Sequence, residues 1–503
     1  MDGTRESLLN RIVAWATDRS AGKNGSNTYW IYGLPGIGKT SLAHSICARL
    51  HDKELLAATF FCRRDNSELN NPRNILPTLI HQLAIVFPPF RSIVAKEFRR
   101  DPHKTPASMK ETFLPDRIRA LRRHPKHTLV FVIDALDETV NTESQLRILR
   151  ALTIAAAQVT WLRIIITSRR EIHIQSFFDA PSHPSHIQYD LAADQEASGD
   201  LKTFAQKQFN LVAAGYPVPW PPTRLFDKAL SRAKGLFIFI KTIVLTLEAY
   251  DECDAATQFL EAALQHSEVT GFKSLYKLYS NILELRIARG PDKIQEMIRV
   301  LVASAPYRSL RKETIAELTG VQPYLIEKWV KVLSSLLYED EGANRGVRVR
   351  HTSISDFFIS NECPSEYRVN RRDANIQLGI ACLATMIGKL RFNICSLKDS
   401  RLANAEIENL QSRIGENISD SLQYSCLYWS DHLSSSHKNL DQRGQEQLKI
   451  FFEGWYPLFW IEVLSLMGMV SACVPSLRRV ILTCLKVSMT GPQLEVVSIS
   501  RLY

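Results

Sequence analysis

Eight residues constrain this chain more than any others. Gly33-Leu-Pro-Gly-Ile-Gly-Lys-Thr40 fits the pattern GxxxxGK[ST], and it falls between an apolar, β-rich run, TYWIY, and a helix-forming run, SLAHSICARL. Gly33, Gly36 and Gly38 let the backbone turn tightly and aim its amides, with that of Ile37, at phosphate oxygens, while the following helix adds its positive dipole end. Lys39 then reaches the β- and γ-phosphates, and Thr40 offers a hydroxyl to Mg²⁺. Ser41 is either a further phosphate contact or a small first-turn helix residue.

Such a loop requires a parallel sheet, and the chain supplies the alternation that builds one. From Thr28 to Leu191 the runs TYWIYG, AATFFC, TLVFVI, LRIIIT and HIQYDL are separated by helical patterns at 41–50, 75–86 and 144–158, with Pro- and Ser-rich loops such as DPHKTPAS and APSHPSH. The expected fold class is therefore α/β, a three-layer parallel-sheet nucleotide-binding domain. After Ala192 helical periodicity takes over, at 198–211, 226–250 and 275–289, broken by the proline-dense loop YPVPWPP. Helices at 293–303, 312–318 and 323–335 followed by two β-like runs around the turn GANRG predict a winged helix. In its third helix Ile326, Trp329, Val330 and Leu333 share one apolar face. The remainder is all helical.

This pattern predicts an N-terminal helix at 1–25, a nucleotide-binding domain at 26–191, a helical domain at 192–289, a winged helix at 290–360 and a C-terminal helical domain at 361–503. The net charge of +10 is a basic balance spread over 503 residues, too dilute to argue for nucleic acid. Nine scattered cysteines with no CxxC pair fit a reducing, cytoplasmic setting without structural zinc. The N-terminus reads as no signal peptide. The apolar stretches 236–247 and 455–474 are expected to be buried helices rather than membrane spans, being short, or interrupted by Pro457 and Glu462. Aromatics at helical spacing near 424–429 and 455–460 read as core packing.

Two further strand ends carry chemistry. Leu129-Val-Phe-Val-Ile-Asp-Ala-Leu-Asp-Glu138 is an apolar strand ending in three carboxylates, which delivers Asp134 to the sheet's carboxyl edge as the metal candidate. Glu138 is the candidate to orient or deprotonate an attacking water, and Asp137 is a second group on the metal side or the water side. Leu162-Arg-Ile-Ile-Ile-Thr-Ser-Arg169 ends at the same edge, where Arg169, or its neighbour Arg170, is placed to sense a γ-phosphate.

Together GLPGIGKT, FVIDALDE and IIITSRR resemble the NACHT class of signal-transducing STAND P-loop NTPases, in its fungal NOD-like receptor branch. The resemblance extends to GTRESLLNRIVAW, FFCRRD, RNILPTLIHQLA, AKGLFIFI and VRVRHTSISDFF. It implies ATP/ADP and Mg²⁺ as ligands, slow hydrolysis, a homo-oligomeric active state, and trigger and effector proteins that the residues do not identify. It also implies that a winged-helix histidine, His351 here, touches the diphosphate of bound ADP. Arg73 follows the second strand in the family-like position but reads equally as a solvated helix-start residue. Where relatives carry Gly-Leu-Pro near the adenine, this chain has Gly235-Leu236-Phe237, and neither an effector module nor a repeat array is legible. The competing readings are an ordinary P-loop ATPase or kinase, a truncated nucleotide-binding regulator, and nucleic-acid recognition by the winged helix through Arg311, Lys312, Arg345, Arg348 and Arg350.

Overall fold

The apolar runs become five strands in a computed structural model: β1 Thr28–Tyr32, β2 Leu56–Phe61, β3 Leu129–Asp134, β4 Leu162–Ser168 and β5 His186–Asp190. The structure describes residues 3–18, 26–100, 112–181, 184–194, 196–214, 216, 219–265, 272–287, 293–341, 345–399, 401–434 and 440–488. The loop DPHKTPAS, the middle of APSHPSH and YPVPWPP, residues 342–344 of the turn GANRG and the boundary at 290 lie outside them.

All five strands pair in parallel, in the spatial order β2-β3-β4-β1-β5. Parallel neighbours need helical crossovers, which bury both faces of the central strands. Every residue of β3 and β4 is buried, matching their uninterrupted apolar runs. β5 is an edge strand with no fully buried residue. Because β4 lies between β1 and β3, the end of LRIIITS sits between the phosphate loop and the acidic strand end. Trp30 stacks on Phe178 at 4.6 Å and donates its indole N–H to Ser168 Oγ at 2.8 Å, fixing that strand end from below.

By compactness the described chain forms two units. The first comprises 1–286 with 333–336 and 350–354, so it contains the sheet, the helices up to Phe272–Arg286 and the short segment carrying His351. The helical run expected at 226–250 is two helices, Thr223–Ala233 and Phe237–Leu247. Lys234 and Gly235 between them take left-handed φ of 40° and 83°, which ends the first helix where the apolar periodicity alone does not.

The second unit comprises 287–332, 337–349 and 355–503. Helices Ile294–Ser304, Lys312–Thr319 and Pro323–Val332 are followed by the antiparallel pair β6 Leu337–Glu339 and β7 Val347–Val349, with Leu310 bridging to Val347. Ile326 and Trp329 are buried as their spacing predicts, while Val330 is half-buried. Beyond them, helices Arg371–Lys389 and Asp420–Ser434 form the centre of an all-helical bundle. Of the aromatics expected in its core, Tyr424, Trp429 and Trp460 are buried, Trp429 meeting Trp460 edge-on at 5.8 Å and the Trp460 indole donating to the carbonyl of Cys426 at 2.8 Å, whereas Trp455 at the helix start is 73% exposed. The stretch 455–474 is broken into helix Tyr456–Leu466, a turn at Gly468 with φ 71°, and a new helix from Cys473. Among the described residues no helix is long and apolar enough to cross a membrane.

Candidate functional site

The site lies within the first unit, at the carboxyl edge of the sheet. After β1 the chain turns through Gly36 and Gly38, both left-handed with φ of 79° and 98°, and enters helix Lys39–Asp52. No side chain caps that helix start, so its first amides are left to whatever binds the loop. Gly36 is also a packing requirement. A Cβ there would lie 2.8 Å from Cβ of Ile238, and closer still to its Cγ2, while the Ile238 amide donates to the Gly36 carbonyl at 3.3 Å.

Lys39 is buried and donates Nζ–H bonds to the carbonyls of Gly33 (2.7 Å) and Leu34 (3.0 Å). Burial lowers its pKa and Arg169 adds to that, while Asp137, Asp134 and Glu138 pull the other way.

Asp134, at the end of β3, is 1% exposed. Its Oδ1 accepts from Thr167 Oγ1 at 2.5 Å, and Thr167 Oγ1 in turn accepts the Ala135 amide at 2.9 Å. Burial raises the Asp134 pKa, countered by hydrogen bonds from Thr167 and Thr40 and by the charge of Lys39. Ala135 takes a left-handed φ of 53°, so the chain bends sharply and offers Asp137 and Glu138 to the same edge.

Those two carboxylates have different environments. Asp137 accepts the Arg169 amide at 2.9 Å and pairs with its guanidinium at 3.3 Å. Glu138 accepts the Arg64 amide at 3.2 Å, and burial with the neighbouring Asp137 pushes it up to about 7 against the opposing charges of Arg64 and Arg169. Asp137 is therefore tied to the Arg169 side chain and amide, and Glu138 is poised to take or give a proton near neutrality.

His351 is brought to the loop from the far end of the unit's sequence. A Cβ on Gly36 would lie 3.7 Å from His351 Cε1. Its Nδ1 accepts the Ser353 amide at 3.2 Å and lies 2.7 Å from Ser353 Oγ, which is 2.9 Å from the hydroxyl of buried Tyr279. Next to it, Thr352 Oγ1 accepts from Arg169 Nη2 at 3.3 Å.

The structure thus brings the loop, Asp134, Asp137, Glu138, Arg169 and His351 to one edge. Ile37, Gly38 and Ser41 face a narrow cleft shared with Thr4 and Arg5, whose guanidinium pairs with Asp194. Arg170 is exposed and lies over the Tyr32 ring at 5.2 Å. Arg73 opens a short turn capped by Asn71 and is exposed. Sequence reasoning missed Thr167, Thr352 and Ile238. Thr167 was readable as the polar residue that ends an otherwise apolar strand, whereas the other two come from chain far outside the sheet and leave no local signal.

The residues suit a magnesium nucleotide. Among the described residues no group of three or more His, Cys, Asp or Glu could cage a metal. One buried carboxylate beside a threonine hydroxyl is what Mg²⁺ uses when phosphates and water complete its shell. In the winged helix, Lys312 pairs with Glu339 at 3.3 Å and Arg348 with Asp340 at 2.9 Å, while Arg350 donates to the carbonyl of Ser334.

The chain is similar to several known proteins. Residues 3–169 match the family described as Nephrocystin 3, N-terminal. The vegetative incompatibility protein HET-E-1 of Podospora anserina is 25% identical over 483 residues, covering 90% of this chain, and the chain spans about a third (34%) of that relative's length. Looser structural likenesses include a STAND protein with a tetratricopeptide repeat sensor from Pyrococcus horikoshii, at 13% identity and a TM-score of 0.36, covering 96% of this chain and 64% of that one. A Walker-type ATPase of Pyrococcus abyssi is 12% identical with a TM-score of 0.34, covering 70% of this chain and 95% of that one. The phosphate loop on a parallel sheet and the acidic end of β3 give the first unit a P-loop NTPase fold, and the chain is similar along nine-tenths of its length to a fungal vegetative incompatibility protein.

Proposed function

We propose that this chain is an ATP/ADP-binding signalling switch, in which the identity of the bound nucleotide controls oligomerisation and hydrolysis resets the state slowly. The observation that supports it most is the convergence of His351 and Thr352 on Gly36 and Arg169, across more than 180 residues of sequence. A histidine and a hydroxyl from outside the sheet are not part of the phosphate loop itself. They are the groups through which the rest of the chain can respond to what the loop holds.

In this reading Gly33, Gly36, Ile37, Gly38, Lys39, Thr40 and Ser41 hold the nucleotide, and Thr40 with Asp134 holds Mg²⁺. Bound Mg²⁺ neutralises phosphate charge and orders the triphosphate. Lys39 exchanges its bonds to the Gly33 and Leu34 carbonyls for phosphate oxygens. Glu138 accepts the proton of the attacking water, Asp137 keeps Arg169 aimed, and Arg169 senses the γ-phosphate. When that group is lost, Arg169 keeps its bonds to Asp137 and Thr352, and His351 remains against the diphosphate end of the loop.

The five-segment organisation at 1–25, 26–191, 192–289, 290–360 and 361–503 belongs to this proposal, with the helical and winged-helix segments as the parts that respond. So does a cytoplasmic setting, in keeping with the eight free cysteines of the described chain. The relative's name extends the reading to self/non-self recognition or innate immunity. His351→Ala is expected to speed release of a fluorescent ADP analogue about tenfold, the equivalent of one charge-assisted hydrogen bond. An unchanged release rate would count against the switch and leave only a nucleotide-binding domain.

A further inference from the structure

The basic character of the chain is not spread evenly. Residues 85–127 hold eleven Lys and Arg against four Asp and Glu, so fewer than one residue in ten supplies +7 of the net +10. The described part of this stretch is two helices, Pro88–Arg100 and Phe113–Arg119, and the turn that leads into β3. They pack on each other through Phe98 and Phe113, whose rings are 6.5 Å apart, and through the ion pair of Glu97 with Arg117 at 2.8 Å. That pair takes up one of the described acids, and Asp116 sits 3.9 Å from Arg119. Arg91, Lys96, Arg99, Arg122, Arg123 and Lys126 all remain exposed.

This surface is remote from the phosphates. Lys126 immediately precedes the first residues of β3, whereas the phosphate loop follows the last residue of β1, and the strands are parallel. The two therefore lie at opposite edges of the sheet, and these cations are not part of the nucleotide site.

What accompanies the charge indicates its partner. Ile85 and Val86, at the end of helix Ile75–Val86, are 63% and 49% exposed. They adjoin the basic turn through Trp161: its ring is 5.8 Å from Phe87, and its indole N–H donates to His124 Nδ1 at 3.0 Å. The larger aromatics of the stretch point inward, since Phe87, Phe90 and Phe113 are all buried. A surface that reads single-stranded nucleic acid exposes aromatic rings for stacking. Exposed aliphatic side chains ringed by Lys and Arg instead suit the interface of an anionic bilayer, where the cations meet headgroups and the aliphatics enter the acyl boundary.

We propose that residues 85–100 and 117–126 form a peripheral docking surface for anionic membrane lipid, separate from the nucleotide site. The test is co-flotation of the full chain with phosphatidylcholine vesicles, with and without phosphatidylserine, and with duplex DNA and RNA as competitors. Wild type is expected to float with phosphatidylserine vesicles only, and less as salt rises. The triple variant Arg122→Glu, Arg123→Glu, Lys126→Glu is expected to bind at least about a hundredfold more weakly, at roughly fivefold per cation lost. Ile85→Ser with Val86→Ser is expected to weaken binding severalfold. Both variants are expected to keep wild-type nucleotide binding and melting temperature, which separates a lost surface from a lost fold. Equal binding of wild type and the triple variant, no flotation of wild type, or full displacement by nucleic acid would each overturn the proposal.

Discussion

Glu138 is the residue whose environment makes the sharpest solution prediction. Burial and the nearby Asp137 push its carboxyl from 4.5 to about 7 in the folded chain. The folded state therefore holds a proton that the unfolded state has released between those two values. Folding stability should fall as pH rises through that window, and the full penalty of burying the anion is present above about 7. For Glu138→Gln the cost at pH 8 is removed, a gain on the order of 3 kcal/mol, while below pH 4.5 the variant and wild type converge. Melting curves without nucleotide from pH 4.5 to 8.5 check this, and parallel curves for the two proteins would show that Glu138 is not the titrating group. The motif DALDE placed this carboxylate at the sheet edge. The motif ranked Glu138 ahead of Asp137 as the water-activating group but carried no sign of their partners, because Arg169, which pairs with Asp137, and Arg64, whose amide bonds Glu138, come from other segments.

At the level of elements, the strands were the most legible part of the chain. β3 and β4 are apolar runs bounded by polar ends, and their complete burial follows from sitting between layers of helix. Their order was not legible. Nothing local in LRIIITS says that it is inserted between β1 and β3, yet that insertion is what lets Thr167 bond Asp134 and lets Arg169 reach Asp137. Helix ends were similarly hidden, as at Lys234 and Gly235, where a left-handed pair overrides continuous apolar periodicity. The contact of helix Phe237–Leu247 with the loop yields a prediction of its own. Gly36→Ala meets both a left-handed φ and the side chain of Ile238, and is expected to destabilise the first unit by about 1–3 kcal/mol. Ile238→Ala in the same chain should recover part of that loss by making room. Thermal unfolding of the single and double variants measures both effects, and a neutral Gly36→Ala would show that the helix does not rest on the loop.

For the whole molecule, the phosphate loop was apparent from eight residues, while the participation of His351 rested on resemblance to other proteins. The physical reason is distance along the chain: a lone histidine in VRVRHTSISDFF carries no pattern of its own, and only the folded chain sets it against Gly36. The basic stretch at 85–127 was obscured for the opposite reason, because averaging charge over 503 residues hides where it is concentrated. The central claim, that this chain holds a nucleotide as its signal, is tested most directly by identifying what copurifies with it. Denaturing the purified protein and resolving the released nucleotide by ion-exchange chromatography is expected to yield ADP near one per chain from wild type, and almost none from Lys39→Ala, in which the buried ammonium is gone. Wild-type protein that is folded, carries no nucleotide and binds none when ADP and Mg²⁺ are added would contradict the account.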